Sequence, residues 1–308
     1  MNVYHNFLEL IDYQWPIHWA AGFFDGMHVG HKRVILSADT PGAKRGVITF
    51  CPHPLALLKP DSAPPLLTPY PQQKHALLQE LGVDVLLELP FTRELAAMSA
   101  TDFLDSLCNS CQVAGISVGS NWHFGKAGAG NADFLREEAN RRGFNACVSD
   151  MLTCGDDVVC STRIRALLKD GNTTLAAQML GRPFSVFGTV EHGQKLARQL
   201  GFPTANIALP ASAALPRHGV YAVSAAIYGH TYSGIANLGM RPTISESIKI
   251  PRLEAHFPDY TGPDFYGEHV EVFLHRFIRD ERRFANVDEL KAQIAADVAC
   301  HKTVVATV

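Results

Sequence analysis

The sequence predicts an α/β protein: a doubly wound parallel sheet, followed by a small antiparallel β-barrel with a C-terminal helix. Three observations support this. Up to residue 182, short apolar runs alternate with helical patterns. After Pro183, apolar and polar residues alternate with a period of two between recurring glycine and proline turn signals. The stop signal at Gly181, the proline and the change of period predict two domains, 1–182 and 183–308.

The apolar runs of the first domain are predicted strands, because strands buried on both faces of a parallel sheet are continuously hydrophobic. They cover residues 17–24, 46–50, 83–89 and 115–120. The helices between them have recognisable ends. The predicted N-caps are Ser99, Asn131 and Asn172, and the predicted glycine stops are Gly143 and Gly181.

The second domain shows the strand pattern most clearly in HVEVFLH, residues 269–275. A final helix is predicted from a cap formed by Asn286 and Glu289. Its apolar positions are Leu290, Ile294 and Val298, spaced at i, i+4 and i+8. This half is therefore expected to be a barrel closed by one helix.

Composition narrows the function. Hydrophobic residues make up 47% of the chain and charged residues 19%, and the formal net charge is −3. A nucleic-acid-binding surface is not expected without a basic excess. No apolar run reaches the length of a membrane span, and the N-terminus lacks a signal-peptide pattern. The seven cysteines are an odd number without a disulfide pattern. We therefore expect a cytoplasmic protein with neither a membrane nor a nucleic acid as partner.

The stretch GFFDGMHVGHKR, residues 22–33, follows the first long apolar run. Gly26 and Gly30 permit a tight turn and close approach of a ligand. The helix that begins there offers unpaired N–H groups to an anion. His28 and His31 are three residues apart, so both can face one phosphate. Two alternatives stay open: surface histidines on a glycine turn, or a zinc pair that lacks further ligands.

Two later stretches fit the same anionic ligand. SNWHFGKAGAGN, residues 120–131, is a glycine-rich loop that leads into a helix. CSTRIRALL, residues 160–168, opens a helix with hydroxyl groups and with Arg163 and Arg165, which suit a triphosphate. Each stretch is common by itself. Their order after the two histidines makes a nucleotide site the favoured interpretation.

Residues 21–168 resemble the FAD synthetase (FMN adenylyltransferase) half of the bacterial bifunctional riboflavin kinase/FAD synthetases, within the nucleotidyltransferase superfamily. The motifs that carry the resemblance are GFFDGMHVGH, TFCPHP, FGKAGAG and STRIR. The resemblance implies that His28 and His31 act at the phosphates of ATP. It also implies a set of ATP-binding residues. These are Gly22, Phe24, Asp25, Gly26, Asn121, Gly125, Ser161, Thr162 and Arg163.

The second domain contains no G-x-x-x-x-G-K-[ST] phosphate loop. The candidate phosphate segment is FGTVEHGQKLARQLGFPTANI, residues 187–207, which is rich in glycine and basic residues. Thr204 and Asn206 supply neutral oxygens, and Mg²⁺ needs only a few protein oxygens beside phosphates. A proline turn with polar capping residues is the alternative.

Residues 183–300 resemble the riboflavin kinase domain through GVYAV, GIANLGMRPT, LEAHF and DFYGEHVEV. The resemblance implies that Thr204 and Asn206 hold Mg-ATP and that Glu254 is the base for the ribityl 5′-hydroxyl. A solvent-facing strand residue is the alternative for Glu254. The implied ATP-binding residues of this domain are Gly188, His192, Gly193, Arg198 and Pro203.

Together the resemblances imply an enzyme that phosphorylates riboflavin to FMN and adenylylates FMN to FAD, with ATP as co-substrate and Mg²⁺ as cofactor. The chain departs from the family pattern in four places. Gly128 replaces an arginine, Cys160 a serine and Ala197 a glycine, and the pair Asn121-Trp122 stands near an expected aspartate-phenylalanine pair. A flavin-binding regulator or kinase with an impaired adenylyltransferase half is therefore an alternative. An adenylyltransferase for another phosphate ester is a further one.

Overall fold

The structure is a computed structural model that describes residues 1–191, 204–242 and 249–305. The chain divides into two compact units. The first contains Met1–Pro64 and Pro71–Cys160, and the second contains Pro65–Tyr70 and Ser161–Val308. The second unit thus includes two helices that precede the predicted boundary at 182/183, and that boundary stays a prediction.

The first unit alternates strands and helices, as the sequence predicts. Its strands are β1 (Asn2–Tyr4), β2 (Ile17–Ala21), β3 (Lys44–Cys51), β4 (Val85–Pro90), β5 (Val113–Gly119), β6 (Asn145–Ser149), β7 (Thr153–Cys154) and β8 (Asp157–Val158). Its helices are α1 (Val29–Leu36), α2 (Pro54–Leu58), α3 (Pro71–Glu80), α4 (Arg93–Ala97), α5 (Ala100–Ser110) and α6 (Ala132–Arg142). Strands β7 and β8 form a separate antiparallel pair.

The main sheet has six parallel strands in the order β1-β4-β3-β2-β5-β6. The chain moves outward from β2 through β3 to β4, then returns to place β5 on the other side of β2. The strand order therefore reverses between β2 and β5. In open α/β sheets, ligands bind in the crevice at this point, outside the carboxyl ends of the strands.

Side chains alternate between two cores on the faces of the sheet. Ile17 and Trp19 of β2 join a cluster that includes residues of α5 and α6. Ala20 of the same strand joins a second cluster that includes residues of α1 and α3. Trp19 is fully buried. Because both faces are covered, the strand is hydrophobic at successive positions, which made it recognisable.

The predicted helix caps are confirmed. Ser99 accepts a hydrogen bond from the backbone N–H of Asp102 at 3.0 Å. Asn131 caps α6, and Gly143 ends it in the left-handed conformation. The largest error in a strand boundary concerns β2, which ends at Ala21, so residues 22–24 belong to the following loop. The sequence analysis also missed β1 and β6, which are short and in part exposed.

The second unit begins with two helices and continues as a barrel. The helices are α7 (Ser161–Lys169) and α8 (Thr173–Leu180), the latter with the predicted Asn172 cap and Gly181 stop. The strands are β9 (Phe184–Glu191), β10 (Ala205–Ala208), β11 (Gly219–Ile227), β12 (His230–Pro242), β13 (Lys249–His256) and β14 (His269–Arg279). They close an antiparallel barrel in the order β10-β13-β12-β11-β14-β9. The predicted barrel is confirmed.

The final helix, α9 (Val287–Val305), packs on β11, β12 and β14. Its predicted cap is present, since Asn286 accepts a hydrogen bond from the Glu289 backbone N–H at 2.9 Å. Asp297 is 2% exposed and accepts hydrogen bonds from the guanidinium group of Arg279 on β14 at 2.7 to 3.1 Å. Across the described part of the chain, every helix is too short or too polar to span a bilayer.

Candidate active sites

The first candidate site lies where the strand order of the sheet reverses. Residues 22–28 leave the carboxyl end of β2, and residues 120–131 leave the carboxyl end of β5. Because the two strands are parallel neighbours, both loops lie at one edge of the sheet. The structure thereby brings the histidine motif and the glycine-rich loop to the expected ligand crevice.

The loop after β2 has an unusual backbone. Phe24 and Met27 adopt φ values of +56° and +46°, and Gly26 adopts +80°. For side chains other than glycine this conformation costs about 1–2 kcal/mol per residue. Phe24 is 3% exposed and Met27 fully buried, so apolar packing compensates for the strain. A Cβ atom on Gly22 would lie 2.9 Å from the Phe24 ring, so this glycine is required by close approach.

His28 is the N-cap of α1, a role that the sequence analysis did not assign. Its Nδ1 accepts a hydrogen bond from the backbone N–H of His31 at 3.2 Å. The two imidazole rings stack with centroids 3.5 Å apart. The Phe24 ring packs edge-on against His31 at 5.3 Å. The loop and the helix N-terminus therefore hold both rings in one arrangement.

Both histidines are neutral at physiological pH. Burial lowers the pKa of His28 to about 4, against an opposing effect of Asp25. Burial also lowers the pKa of His31 well below its usual value, and His28 and Lys74 add to that effect. Since Nδ1 of His28 is an acceptor, its proton is assigned to Nε2, which is then a donor. Among the described residues, the buried Nδ1 of His31 has no hydrogen-bond partner.

The loop after β5 is also fixed by backbone contacts. Phe124 and Gly130 exchange backbone hydrogen bonds of 2.9 and 3.0 Å, which close the loop before α6. Gly125 has φ +73°, and a Cβ atom there would lie 2.5 Å from the backbone nitrogen of Ala100. Asn121 is exposed at the start of this loop. Its predicted contact with the nucleotide stays a prediction, as do those of Gly22, Phe24, Asp25, Gly26 and Gly125.

The remaining residues predicted for this nucleotide site lie in the second unit. Ser161, Thr162 and Arg163 form the first turn of α7. Arg165 donates from Nε to the carbonyl oxygen of Pro65 at 2.7 Å. Their roles at a triphosphate stay predictions. Of the departures from the family, Gly128 has φ +68°, a conformation that an arginine side chain disfavours.

The second candidate site is a row of polar side chains across three barrel strands. Asn206 on β10 lies opposite Glu254 on β13, and Glu254 lies opposite Asn237 on β12. Directly opposed residues share one face of a sheet. The adjacent positions, such as Ile207, Leu253 and Leu238, are fully buried on the other face. The row therefore lies on the face of these strands that is opposite to the apolar core of the barrel.

Thr204 is expected to extend the row. It lies two residues before Asn206 on the segment that enters β10, and such spacing places side chains on one face of a strand. Asn237 donates from Nδ2 to the Glu281 carboxylate at 3.0 Å. Its buried Oδ1 lacks a hydrogen-bond partner in the described part of the chain. The row thus presents oxygen atoms, the ligand type that Mg²⁺ prefers.

Several predicted kinase residues cannot be placed. His192, Gly193, Arg198 and Pro203 lie outside the described residues, as does the departure at Ala197. Gly188 lies on β9, where a Cβ atom would come within 2.6 Å of the Ile207 side chain. Packing between β9 and β10 is sufficient to explain this glycine, and its contact with ATP stays a prediction. Among the described residues, no cluster of three or more His, Cys, Asp or Glu is arranged for a metal.

Sequence reasoning missed two groups of residues beside these sites. Lys74 of α3 is 6% exposed and reaches the histidine loop. Asn237 lies opposite Glu254 on the neighbouring strand and donates a hydrogen bond to Glu281. The only local indication for Asn237 was its place in GIANLGMRPT, and for Lys74 there was none, because both depend on contacts between distant parts of the chain.

Two features indicate the class of protein. A helix N-terminus carries histidines at the switch point of a parallel sheet, and a barrel with an oxygen-rich face follows in the same chain. Together they are typical of a two-domain transferase of nucleotide-derived groups. Two family models match the chain. The one described as FAD synthetase matches residues 12–163, and the one described as riboflavin kinase matches residues 180–305.

Three individual proteins are similar to this chain over most of its length. The bifunctional riboflavin kinase/FMN adenylyltransferase of Escherichia coli (strain K12) is 39% identical over 90% of this chain and 88% of its own length. That of Bacillus subtilis (strain 168) is 34% identical over 90% and 89%. A crystal structure described as a macrolide-efflux protein from Streptococcus pneumoniae has a TM-score of 0.86 and 28% identity, covering 98% of each chain. The chain belongs to the bifunctional riboflavin kinase/FMN adenylyltransferase family.

Proposed function

We propose that this chain makes FMN and then FAD: the barrel transfers the γ-phosphoryl group of ATP to riboflavin, and the N-terminal unit transfers the adenylyl group of ATP to FMN. Membership of the family, with both of its domains present, supports both activities. The observation that carries the adenylyltransferase step is the pair of neutral, stacked histidines at the N-terminus of α1.

In adenylyl transfer, an oxygen of the FMN phosphate attacks the α-phosphorus of ATP and pyrophosphate leaves. Negative charge builds on the α-phosphate oxygens in the transition state. The Nε2–H group of His28 is a preorganised donor for those oxygens, because its Nδ1 is engaged by the backbone of His31. The N–H groups at the start of α1 add a partial positive charge in the same place. This arrangement stabilises charge without moving a proton.

In riboflavin phosphorylation, the ribityl 5′-hydroxyl attacks the γ-phosphorus of ATP and ADP leaves. Glu254 is the proposed acceptor of the hydroxyl proton. Its position on β13, opposite Asn206 and Asn237, supports this role. Thr204 and Asn206 are the oxygens that would hold Mg²⁺, and the bound cation would neutralise phosphate charge.

A product assay tests the proposal. The pure protein is incubated with riboflavin, ATP and Mg²⁺, and FMN and FAD are separated by chromatography. A second reaction starts from FMN. Formation of both products is expected. FMN without FAD in either reaction would instead support the regulator or kinase-only alternative, for which neither the fold nor the family gives a reason. A panel of other phosphate esters in place of FMN tests substrate choice.

A further inference from the structure

Lys74 has surroundings that the proposed mechanism does not use. The residue lies on α3 and is only 6% exposed. Lysine is almost never this buried unless it is paired. Its ammonium nitrogen donates to the carbonyl oxygen of Phe23 at 3.2 Å and lies 4.5 Å from the centroid of the Phe23 ring. Both contacts are with the loop that carries the histidines.

The Phe23 carbonyl group is held from two sides. The hydroxyl group of Thr49 on β3, which is fully buried, also donates to it at 3.0 Å. This carbonyl belongs to the peptide that precedes Phe24, the residue with φ +56°. The Phe24 ring in turn packs edge-on against His31. A continuous set of contacts therefore runs from Lys74 through the strained loop to the second histidine.

We propose that Lys74 is a positioning residue for adenylyl transfer: by holding the Phe23 carbonyl it keeps the loop in the conformation that presses Phe24 against His31. The inference rests on the proposed adenylyltransferase function of this site. Stability alone gives little reason for an ammonium group here, because replacing buried ionic groups by apolar ones of similar volume is often neutral or stabilising.

The charge of Lys74 supports the same role. Burial lowers the pKa of its ammonium group, while Glu88 from β4, Asp25 from the loop and Cys51 from β3 raise it. His31 faces two groups that lower its pKa, His28 and Lys74. The ammonium group thus helps to keep His31 unprotonated. Removing it is expected to raise the pKa of His31 as well as to loosen the loop.

Four variants of the full-length protein separate these effects. Lys74→Met removes the donor and the charge, and Lys74→Arg keeps both. Thr49→Val removes the second donor to Phe23 without changing charge. Lys44→Met is the control, because Lys44 is a half-exposed lysine of the same unit that faces Asp84 at 3.9 Å. Each variant is assayed for FAD formation from FMN and ATP across pH 3.5 to 9, so that the range includes the acid limb of the wild type, with riboflavin phosphorylation as the internal reference.

We expect Lys74→Met to lower kcat/KM for FAD formation about 10²-fold, because a small displacement of a catalytic group lowers the rate by about that factor. The loss should appear mainly in kcat. The acid limb of this variant should move to higher pH, since that limb reports the free enzyme's histidines. Lys74→Arg should keep the wild-type limb. Thr49→Val should lower the rate without moving the limb. Lys44→Met should match wild type, and no variant should alter riboflavin phosphorylation.

The proposal is overturned if Lys74→Met forms FAD at the wild-type rate, or if the rate falls while the acid limb stays in place, as a purely structural role would produce. If Lys74→Met does not fold, Thr49→Val and Lys74→Arg decide, and a wild-type rate in Thr49→Val overturns the proposal. Wild-type protein that makes FMN but no FAD would contradict the proposed function itself, which is a different result.

Discussion

The candidate sites of the two units offer hydrogen-bonding groups of opposite kinds. In the N-terminal unit, the candidate site offers donors: two neutral imidazoles and the N–H groups of a helix start. In the barrel, the candidate site offers oxygen acceptors, with Asn206, Glu254 and Asn237 in one row. In the proposed function, a polyphosphate would bind the first set of groups directly, whereas the second set would bind it through Mg²⁺.

The two sites also differ in how their geometry is fixed. The histidines depend on a strained loop whose apolar side chains are buried in the core. The barrel row depends on strand register, which places three side chains side by side without strain. Substitutions in the first site should therefore act through loop conformation and protonation. Those in the second should act through metal affinity and proton acceptance.

The strongest test of this separation removes the imidazoles. We expect His28→Ala and His31→Ala each to slow FAD formation by about 10²–10³, the usual effect of removing a preorganised donor. His28→Asn should be equally slow, because asparagine restores the helix cap but not the imidazole. Rates are measured from FMN and ATP, with His5→Ala, an exposed histidine of the same unit, as the control. FMN formation should be unchanged, and a parallel loss of both activities would contradict separate sites.

The converse test is made in the barrel. Glu254→Gln should slow FMN formation about 10²-fold, because a carboxamide cannot accept the hydroxyl proton. It keeps the shape of the side chain between its cross-strand neighbours, so the barrel should fold. FAD formation from added FMN should be unchanged. Glu268→Gln, at an exposed glutamate just before β14, is the matched control. An unaltered phosphorylation rate in Glu254→Gln would remove Glu254 from the mechanism.

Much of this contrast could be predicted from the sequence, because it depends on neighbours along the chain. Ser99, Asn131, Asn172 and Asn286 cap helices through bonds to residues three positions further on. The alternation of residues 269–275 is equally local. The histidine motif falls in the same class, since its glycines and imidazoles lie within a few residues of one another.

The missed features depend on distant contacts. Lys74 meets Phe23 across 51 positions, and Asn237 meets Glu281 across 44. Helix α3, with the sequence PQQKHALLQE, has a weak apolar stripe, so no local pattern predicted a buried lysine in it. The capping role of His28 was missed for another reason: histidine is not among the residues that N-caps favour.

Acid stability tests the protonation state that distinguishes the first site. Because the pKa of His28 is lowered to about 4, the unfolded chain binds more protons than the folded chain between pH 6.5 and pH 4. Stability contributed by the neutral imidazole is thus present at pH 7 and lost as the pH falls. From pH 7 to pH 5 we expect wild type to lose about 2 kcal/mol more than His28→Asn, which does not titrate.

All three tryptophans, Trp15, Trp19 and Trp122, lie in the N-terminal unit, so their fluorescence during urea unfolding reports on that unit alone. The comparison is made between wild type and His28→Asn at both pH values, which cancels the contribution of the carboxylates. An equal loss in the two proteins would mean that folding does not lower the pKa of His28. The donor description of the first site would then need revision.

The smallest expected effect concerns the Mg²⁺ that we propose for the second site. Thr204→Val preserves the shape of the side chain and removes one oxygen. We expect the Mg²⁺ concentration for half-maximal FMN formation to rise about tenfold, as the loss of one interaction of about 1.4 kcal/mol predicts. Saturating Mg²⁺ should restore most of the rate. The Mg²⁺ dependence of FAD formation from added FMN should not change, because Thr204 lies in the barrel unit. A lower maximal rate without a change in Mg²⁺ dependence would mean that Thr204 orients the substrate instead of holding the cation.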